Sequence, residues 1–343
     1  MAEAAMAPPA LIAGFDAGQT HTTCRLAQRN PGGSWTCLAQ GEGPGVRHLA
    51  APGGPEAFCQ ALRTSLALAL AASGLSDGAP VPAGARQQHL PGHHPLLAAV
   101  GIGASGIEVG SGIQAEGTRL AAEALQLPHG RLLVTGDERA ALRGAMGTAP
   151  EGLVLISGTG TIAVGRNREG REHRCAGWGW LLDGMGSAMD IGRDGLGVSL
   201  EMADGRRPGS DLRRRLWDEL GLDPDQPHSP QAIKALVVTP EFGPAGFARL
   251  APVVVACAED GDAAARAIVR RHAGALAAMA ATITRELNLE QPRIWPMGGA
   301  LEHLRGLRRQ LEQALESQLP QASLATPAGD ACAGALALAA EQL

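Results

Sequence analysis

Two short segments of this sequence share a pattern that could bind phosphate. Each consists of an apolar run, a turn of small residues that carries a hydroxyl, and a second run with β-strand character. They are residues 11–23 and 153–164. In the first segment Asp16 ends the apolar run, and Gly18, Gln19 and Thr20 form the turn. Amides at such a turn bind phosphate oxygens, and a carboxylate beside them can hold Mg²⁺ directly or through water.

The second segment repeats this design without the carboxylate. Its turn carries hydroxyls and glycines in the run Ser157, Gly158, Thr159 and Gly160. Two such tips facing each other would grip a polyphosphate through backbone N–H groups. An ordinary Asp-x-Gly hairpin would explain the first turn by itself, but the repetition favours phosphate binding.

A second carboxylate, Asp137, follows the apolar run at 132–134 and precedes a predicted helix. One interpretation is that its side chain only caps the helix N-terminus. The other is a general base that orients and deprotonates a substrate hydroxyl for in-line attack on a γ-phosphate. Its place at the carboxyl end of a strand, where open α/β sheets bind ligands, favours the second interpretation.

The elements that would position these residues follow from apolar spacing and turn residues. In the first half we predict a three-stranded meander and then alternating strands and helices. Strands are predicted at 11–15, 22–27, 35–40, 96–102 and 131–135, and helices at 55–73, 111–127 and 138–147. A disordered leader is predicted at 1–9 and a Gly/Pro/His-rich surface loop at 74–95.

The second half is predicted to begin with a hairpin and to continue mostly as helices. Strands are predicted at 152–157, 161–165 and 293–296, and a Gly-rich loop is predicted at 177–186. Helices are predicted through 187–288, from after residue 300 to about 318, and at 329–343. A chain of 343 residues exceeds one ordinary core, so we predict two domains. They are residues 1–148 and 149–325, with a helical insertion at about 187–290 and a last helix, about 326–343, packed on the first domain.

Composition excludes several kinds of partner. The net charge is −5 and no long basic run is present, so we expect no nucleic-acid partner. Lys234 is the only lysine, and its surroundings match neither a P-loop nor a protein kinase. The six cysteines lack metal-finger spacing, and no export signal or membrane-spanning run is evident. These features predict a cytoplasmic protein without membrane contact.

Five motifs occur in a specific order along nearly the whole chain. They are Asp16-x-Gly-x-Thr-x-Thr, Thr135-Gly136-Asp137, Ser157-Gly158-Thr159-Gly160, Gly177-Trp178-Gly179 followed by Gly186-Ser187-Ala188, and Gly298-Gly299. In this order they resemble the motifs of the BadF/BadG/BcrA/BcrD ATPase family, and within it those of N-acetylglucosamine kinases. The resemblance implies an α/β fold of two actin-like (ribonuclease H-like) domains with ATP and Mg²⁺ in an interdomain cleft.

The resemblance also implies a role for each matching residue. Asp16 would hold Mg²⁺ through water. Residues 18–20 would form the first phosphate loop and residues 157–160 the second. Asp137 would be the catalytic base. Gly298 and Gly299 border the adenosine. The residues implied at the sugar are Ser105, Gly106, Gly177, Trp178 and Gly179. A tryptophan in a Gly-rich loop could stack on a sugar face, although Trp178 or Trp180 could instead be a core residue.

Two departures from the family pattern bear on the sugar. Similar kinases read Gly-Asp-Glu-Gly-Ser after the Trp loop, whereas this chain reads Asp-Gly-Met-Gly-Ser from Asp183. Asp183 would supply the sugar-binding carboxylate if the loop is shifted by one residue. Val46 stands where relatives place an asparagine, so one sugar contact is lost or is supplied by Arg47 or His48.

The function predicted from these features is ATP-dependent phosphorylation of a hydroxyl on an amino sugar such as N-acetylglucosamine or glucosamine, or on a related hexose. Two alternatives remain. One is an ATPase that activates a partner enzyme of the dehydratase or reductase type and contains iron. The other is a non-catalytic sugar or nucleotide sensor. A homodimer is compatible with the resemblance, because dimers are common among similar kinases.

Overall fold

The computed structural model describes residues 10–75 and 97–343, which form two compact units. Among the described residues, unit 1 comprises residues 10–75 and 97–148 together with Ala328–Leu343. Unit 2 comprises Ala149–Pro327. The expected leader and the expected loop from residue 76 onward lie outside the described residues.

Unit 1 is built on a five-stranded mixed sheet. Its strands are β1 (Leu11–Ala17), β2 (His21–Arg29), β3 (Trp35–Pro44), β4 (Leu97–Ala104) and β5 (Leu132–Gly136). Its helices are α1 (Gly54–Ser73), α2 (Gly112–Leu125), α3 (Asp137–Met146) and, from the end of the chain, α12 (Ala331–Ala340). The first three strands form an antiparallel meander, and β4 and β5 then run parallel to β1 in the order β3-β2-β1-β4-β5.

Unit 2 repeats this sheet and adds many helices. Its strands are β6 (Gly152–Ser157), β7 (Thr161–Arg166), β8 (Glu172–Ala176), β9 (Arg293–Met297) and β10 (Ser323–Leu324). Six helices lie between β8 and β9: α4 (Ala188–Ala203), α5 (Asp211–Glu219), α6 (Ser229–Leu236), α7 (Gly243–Ala248), α8 (Ala251–Glu259) and α9 (Ala263–Leu287). Helices α10 (Gly299–His303) and α11 (Arg305–Gln318) follow β9.

The two sheets have the same topology. In unit 2 the order is β8-β7-β6-β9-β10, with β9 parallel to β6 and β10 parallel to β9. The prediction of two mixed α/β domains that each start with a meander is therefore confirmed. In each unit the hairpin tip lies beside the carboxyl ends of the parallel strands, where ligands bind in open sheets.

Helix α12 covers one face of the unit 1 sheet, where Ile12, Ala27 and Ala99 form a small buried cluster. Helix α12 lies close to strand β1 because Gly14, on the strand face that meets the helix, has no side chain. A Cβ atom on Gly14 would lie 2.5 Å from the backbone nitrogen of Leu336. The opposite face of the sheet packs against α1 and α2 through Phe15 and its neighbours.

Three elements differ from the sequence predictions. Strand β8 was not predicted, because Glu172, His173 and Arg174 give it no apolar alternation. The single helix predicted after residue 300 is instead two helices, which begin at Gly299 and Arg305 and meet at Leu304. Leu304 has a ψ of 83°, which is not helical, and no Gly or Pro marks the break. The two-residue strand β10 is too short to leave a periodic signal. None of the helices within the described residues is long and apolar enough to cross a membrane.

Candidate functional site

In unit 1 the predicted residues meet at one edge of the sheet. Because β1, β4 and β5 are parallel, their carboxyl ends lie side by side. Asp16 lies near the end of β1, Ser105 follows β4, and Asp137 follows β5. The backbone N–H of Ser105 donates to the carbonyl of Ala17, 3.0 Å away, which joins the first two strand ends.

Asp137 is the first residue of α3, and Gly136 occupies the N-cap position. Asp137 therefore does not occupy the N-cap position, although its Oδ1 accepts from the N–H of Glu138 in the first turn at 2.9 Å. Burial raises the pKa of Asp137, and hydrogen bonds from Glu138 and Ser105 offset only part of that effect. A carboxylate with a raised pKa is a stronger base than a free one, which suits the role of a general base.

Glu138 is a buried carboxyl group that the sequence predictions missed. It is 9% exposed and its side chain folds back over Gly136, whose missing Cβ leaves the necessary space. A hydrogen bond from the Glu138 side chain lowers the pKa of Asp137 against the larger effect of burial, so the two carboxyl groups lie side by side. The sole sequence signal for this pair is two consecutive acids at a predicted helix start.

Asp16 is a carboxylate whose charge is poorly compensated. Burial raises its pKa to about 6, and the charges of Asp137 and Asp330 add to the rise, while His21 and Arg25 oppose it. A cation beside Asp16 would stabilise the charged form. Among the described residues no cluster of three or more His, Cys, Asp or Glu could hold a metal. The single carboxylate of Asp16 beside an exposed turn fits Mg²⁺, which takes one or two carboxylates and fills its remaining positions with phosphate oxygens and water.

The first hairpin tip is exposed and supported from one side. Gln19 and Thr20 are exposed, and the backbone of Gln19 packs against Gly45. The N–H of Val46 donates to the carbonyl of Gly18 at 2.9 Å, and the Val46 side chain is 3% exposed. Val46 therefore supports the tip through its backbone, and its buried side chain is not accessible to a ligand.

His48 lies beside the Ser105–Gly106 turn. A Cβ atom on Gly106 would lie 2.8 Å from Cδ2 of the imidazole, and Gly106 has a φ of 79°. Nδ1 of His48 accepts from the N–H of Ala50 at 3.2 Å, so the neutral ring carries its proton on Nε2. Of the two residues proposed to replace the asparagine contact, the structure brings His48 to the expected sugar turn.

The second tip, in unit 2, has a buried base and an open end. Ser157 is fully buried and its Oγ donates to the carbonyl of Gly186 at 2.6 Å. Thr159 and Gly160 are exposed, and Cβ atoms added at Gly158 or Gly160 would meet nothing within 4 Å. The backbone of Thr159 and Gly160 is thus accessible to a ligand, whereas the Ser157 hydroxyl and the N–H of Gly158, which donates to the carbonyl of Gly160 at 2.9 Å, are already engaged.

The turn after β9 packs against this tip. Gly298 has a φ of 89°, and a Cβ there would lie 2.5 Å from the carbonyl oxygen of Ser157. Its N–H donates to Oε1 of Glu302 at 2.9 Å. Unit 2 therefore brings Gly298 and Gly299 next to the second predicted phosphate loop, as expected for residues that border one nucleotide.

The Trp loop follows β8 in unit 2. Trp178 is 63% exposed, and the guanidinium of Arg174 lies 4.9 Å from its ring centroid. Arg174 also donates to the carbonyl of Gly177 at 2.6 Å, which holds the start of the loop. The N–H of Asp183 donates to the carbonyl of Gly179 at 2.9 Å, so the loop turns back on itself there. Trp178 is therefore a surface residue and not part of the core.

Comparisons with known proteins are consistent with this arrangement. The chain is 27% identical over 212 residues to an N-acetylmuramic acid/N-acetylglucosamine kinase of Clostridium acetobutylicum. This alignment covers 61% of this chain and 67% of that protein. It is also 30% identical over 191 residues to an N-acetyl-D-glucosamine kinase of Dictyostelium discoideum, in an alignment that covers 55% of this chain and 59% of that protein. The alignment thus spans less than two thirds of the second relative.

A solved structure extends the similarity over the full fold. The crystal structure of a candidate N-acetylglucosamine kinase from Chromobacterium violaceum has a TM-score of 0.71 and 26% sequence identity, and the match covers 96% of this chain and 99% of that one. The model of one family matches residues 13–339, from strand β1 to helix α12. This chain therefore belongs to the BadF/BadG/BcrA/BcrD ATPase family.

Proposed function

We propose that this protein is an ATP-dependent kinase that transfers the γ-phosphoryl group to a hydroxyl of an amino sugar, such as N-acetylglucosamine or glucosamine, or of a related hexose. The observation that carries the proposal is the half-buried Asp137 carboxylate, with its raised pKa, at the strand edge that also carries Asp16. The names of the relatives, which are amino-sugar kinases, support the same reaction class.

Asp137 accepts the proton of the attacking sugar hydroxyl, whose oxygen forms the new bond to phosphorus as the bond to the leaving ADP oxygen breaks. Ser105 donates a hydrogen bond to the carboxylate and keeps it oriented. Gly106 and His48 flank the same turn and would contact the sugar, with the Nε2 proton of His48 as a donor.

Asp16 would hold Mg²⁺ through water, and the ion when bound neutralises charge on the phosphate oxygens. The exposed tips would bind phosphate oxygens through the backbone amides of residues 19–20 and 159–160, because the N–H groups of Gly18 and Gly158 already donate within their own turns. Gly298 and Gly299 would border the adenosine. Trp178 would stack on a sugar face, with Gly177, Gly179 and Asp183 shaping the loop that carries it.

The test is a coupled assay of ADP release by the purified protein with ATP, Mg²⁺ and a panel of amino sugars and neutral hexoses. We expect sugar-dependent ADP release that is fastest with an N-acetylated or free amino sugar, and mass spectrometry of the product should show one added phosphate. ADP release that no sugar accelerates, in a protein that contains iron, would favour the activator alternative. Nucleotide or sugar binding without turnover would favour the sensor.

A further inference from the structure

Both backbone polar groups of Gly186 are held by buried side chains. Its N–H donates to Nδ1 of His272 at 2.9 Å, and its carbonyl accepts from Oγ of Ser157 at 2.6 Å. Gly186 has a φ of 97°, and a Cβ atom there would lie 2.6 Å from Cγ of Leu276. One glycine thus connects helix α9 to the base of the second hairpin tip.

The hydrogen bonds of His272 define its protonation. Because Nδ1 accepts from Gly186, it carries no proton, and the ring proton lies on Nε2. Nε2 donates a hydrogen bond to Oδ2 of Asp194, 2.7 Å away. Burial alone would raise the pKa of Asp194, but His272 and Arg271 outweigh burial and hold the pKa below its ordinary value. The imidazole, itself 0% exposed, is therefore oriented by a charged carboxylate.

A second bond joins the tip to the same region. The N–H of Ala188, at the start of α4, donates to the carbonyl of Gly158 at 2.8 Å. Ser187 caps α4 by accepting from the N–H of Asp190 at 3.1 Å. The end of the Gly-rich loop, the start of α4 and the tip of the hairpin consequently share one hydrogen-bonded network.

We propose that Asp194 and His272 are positioning residues that hold Gly186 and thereby keep the phosphate-binding tip and the loop that carries Trp178 in one relative arrangement. The proposal rests on the proposed function, because it assigns the tip to nucleotide and the loop to sugar. Neither Asp194 nor His272 touches a substrate. Ser157 acts within this network as a hydroxyl that fixes the tip and does not contact phosphate.

This role differs from that of a histidine that merely fills the core. A core-filling residue could be replaced by an apolar one of similar size with effects on stability alone. Here an apolar replacement also leaves the buried N–H of Gly186 without its acceptor, so the loop and the tip must rearrange. The two roles therefore differ in their effect on ligand affinity.

The main test compares two substitutions of His272. His272→Leu removes the acceptor, whereas His272→Asn offers an amide oxygen near the position of Nδ1. We expect His272→Leu to raise the KM for both ATP and sugar by about tenfold to a hundredfold, since small misplacements of binding groups have effects of that size. His272→Asn should restore most of both values.

Ser199→Ala is the matched control. Ser199 lies on α4, is 0% exposed, accepts from Nε1 of Trp217 at 2.9 Å and donates to the carbonyl of Leu196 at 2.7 Å. Its loss should lower the melting temperature and leave both KM values unchanged. An equal rise of KM in Ser199→Ala and His272→Leu would overturn the proposal.

Ser157→Ala provides a second route if His272→Leu does not fold. The proposal predicts that the KM for sugar rises together with the KM for ATP, because the shared network is broken. A direct phosphate contact from Ser157 would instead raise the KM for ATP alone, and that result would overturn the proposal.

Hydrogen exchange separates this proposal from the proposed function. In His272→Leu, or in Ser157→Ala if the former does not fold, peptides that cover residues 157–160 and 183–188 should exchange faster than in the unchanged protein, whether or not any sugar is phosphorylated. Unchanged exchange in a folded variant would overturn the network even in an active kinase. Absence of sugar phosphorylation with faster exchange would overturn the proposed function and keep the network as a structural link.

Discussion

The half-buried Asp137 and the buried Glu138 form a pair of carboxyl groups at the start of α3, where Asp137 is the proposed base. The hydrogen bond between them holds the Asp137 carboxylate beside a second carboxyl group. Ser105 supplies a third hydrogen bond to the same carboxylate. Asp137 is therefore fixed in orientation before any substrate binds.

Asp137→Asn should reduce kcat by about a hundredfold or more, because the amide cannot accept the proton of the sugar hydroxyl. The dissociation constant for ATP should change little, since the phosphate-binding turns remain intact. Steady-state kinetics and calorimetry measure the two quantities. Asp218→Asn, at an exposed position on α5, is the matched control and should leave both unchanged. Retained turnover in Asp137→Asn would show that another group is the base.

Asp16→Asn should change stability in a pH-dependent manner. The pKa of Asp16 is raised from 3.8 to about 6 in the folded protein, so the folded state binds this proton more tightly than the unfolded state. The contribution of Asp16 to stability therefore falls as pH rises from about 4 to about 6 and stays unfavourable above that range. Without Mg²⁺, the variant should melt at a higher temperature than the unchanged protein at pH 8, and this gain should shrink at pH 4. A gain of equal size at both pH values would contradict the assigned origin of the shift.

Helix α12 is the element that links the end of the chain to the strand edge of unit 1. Asp330 caps the helix by accepting a hydrogen bond from the N–H of Ala333 at 2.8 Å. Its carboxylate also accepts hydrogen bonds from both terminal nitrogens of Arg25, at 2.8 and 2.7 Å. The side chain of Asp330 is 56% exposed, so the ion pair itself contributes only about 0–1 kcal/mol. The cap is thus the larger contribution.

Asp330→Ala should lower the free energy of unfolding of unit 1 by about 1–2 kcal/mol, because the cap and the ion pair are both lost. Asp330→Asn keeps a capping oxygen and should recover most of that loss. Urea denaturation of the two variants measures the difference. Equal losses in both would assign the stabilisation to the charge and not to the cap.

At the scale of the whole molecule, two units with the same sheet topology differ in what they contribute. Unit 1 carries the carboxylates at its strand edge, and unit 2 carries the hydroxyl-bearing tip, the Trp loop and six helices inserted between β8 and β9. Unit 1 is also completed by a helix from the far end of the chain. Its stability therefore depends on residues that follow unit 2 in sequence.

Removal of residues 328–343 should leave unit 1 unfolded or aggregated, because the apolar sheet face formed by Ile12, Ala27 and Ala99 would be exposed. Limited proteolysis should then degrade unit 1 while unit 2 resists. Removal of residues 342–343 alone is the control and should have little effect, since both are exposed. A shortened chain that keeps a protease-resistant unit 1 would contradict this dependence.

Much of the fold could be predicted because its signals are local. The hairpins at β1–β2 and β6–β7 and the helix α2 with its Ser111 cap follow from apolar spacing and turn residues. Strand β8 could not, because a strand held by backbone pairing with β7 needs no apolar alternation of its own. Glu138 and His272 also carry no distinctive pattern, although His272 interrupts an apolar helical run.

The sequence by itself determined the two repeated tips, the carboxylates Asp16 and Asp137, the family and the two mixed domains, because turns, strand periods and motif order are properties of neighbouring residues. Only the tertiary structure decided which polar groups remain available to a ligand. Ser157 and Gly186 are 29 residues apart and Gly186 and His272 are 86 apart, yet they form one hydrogen-bonded chain. Such contacts arise when packing brings distant segments together and buried polar groups must find partners, so no local pattern records them.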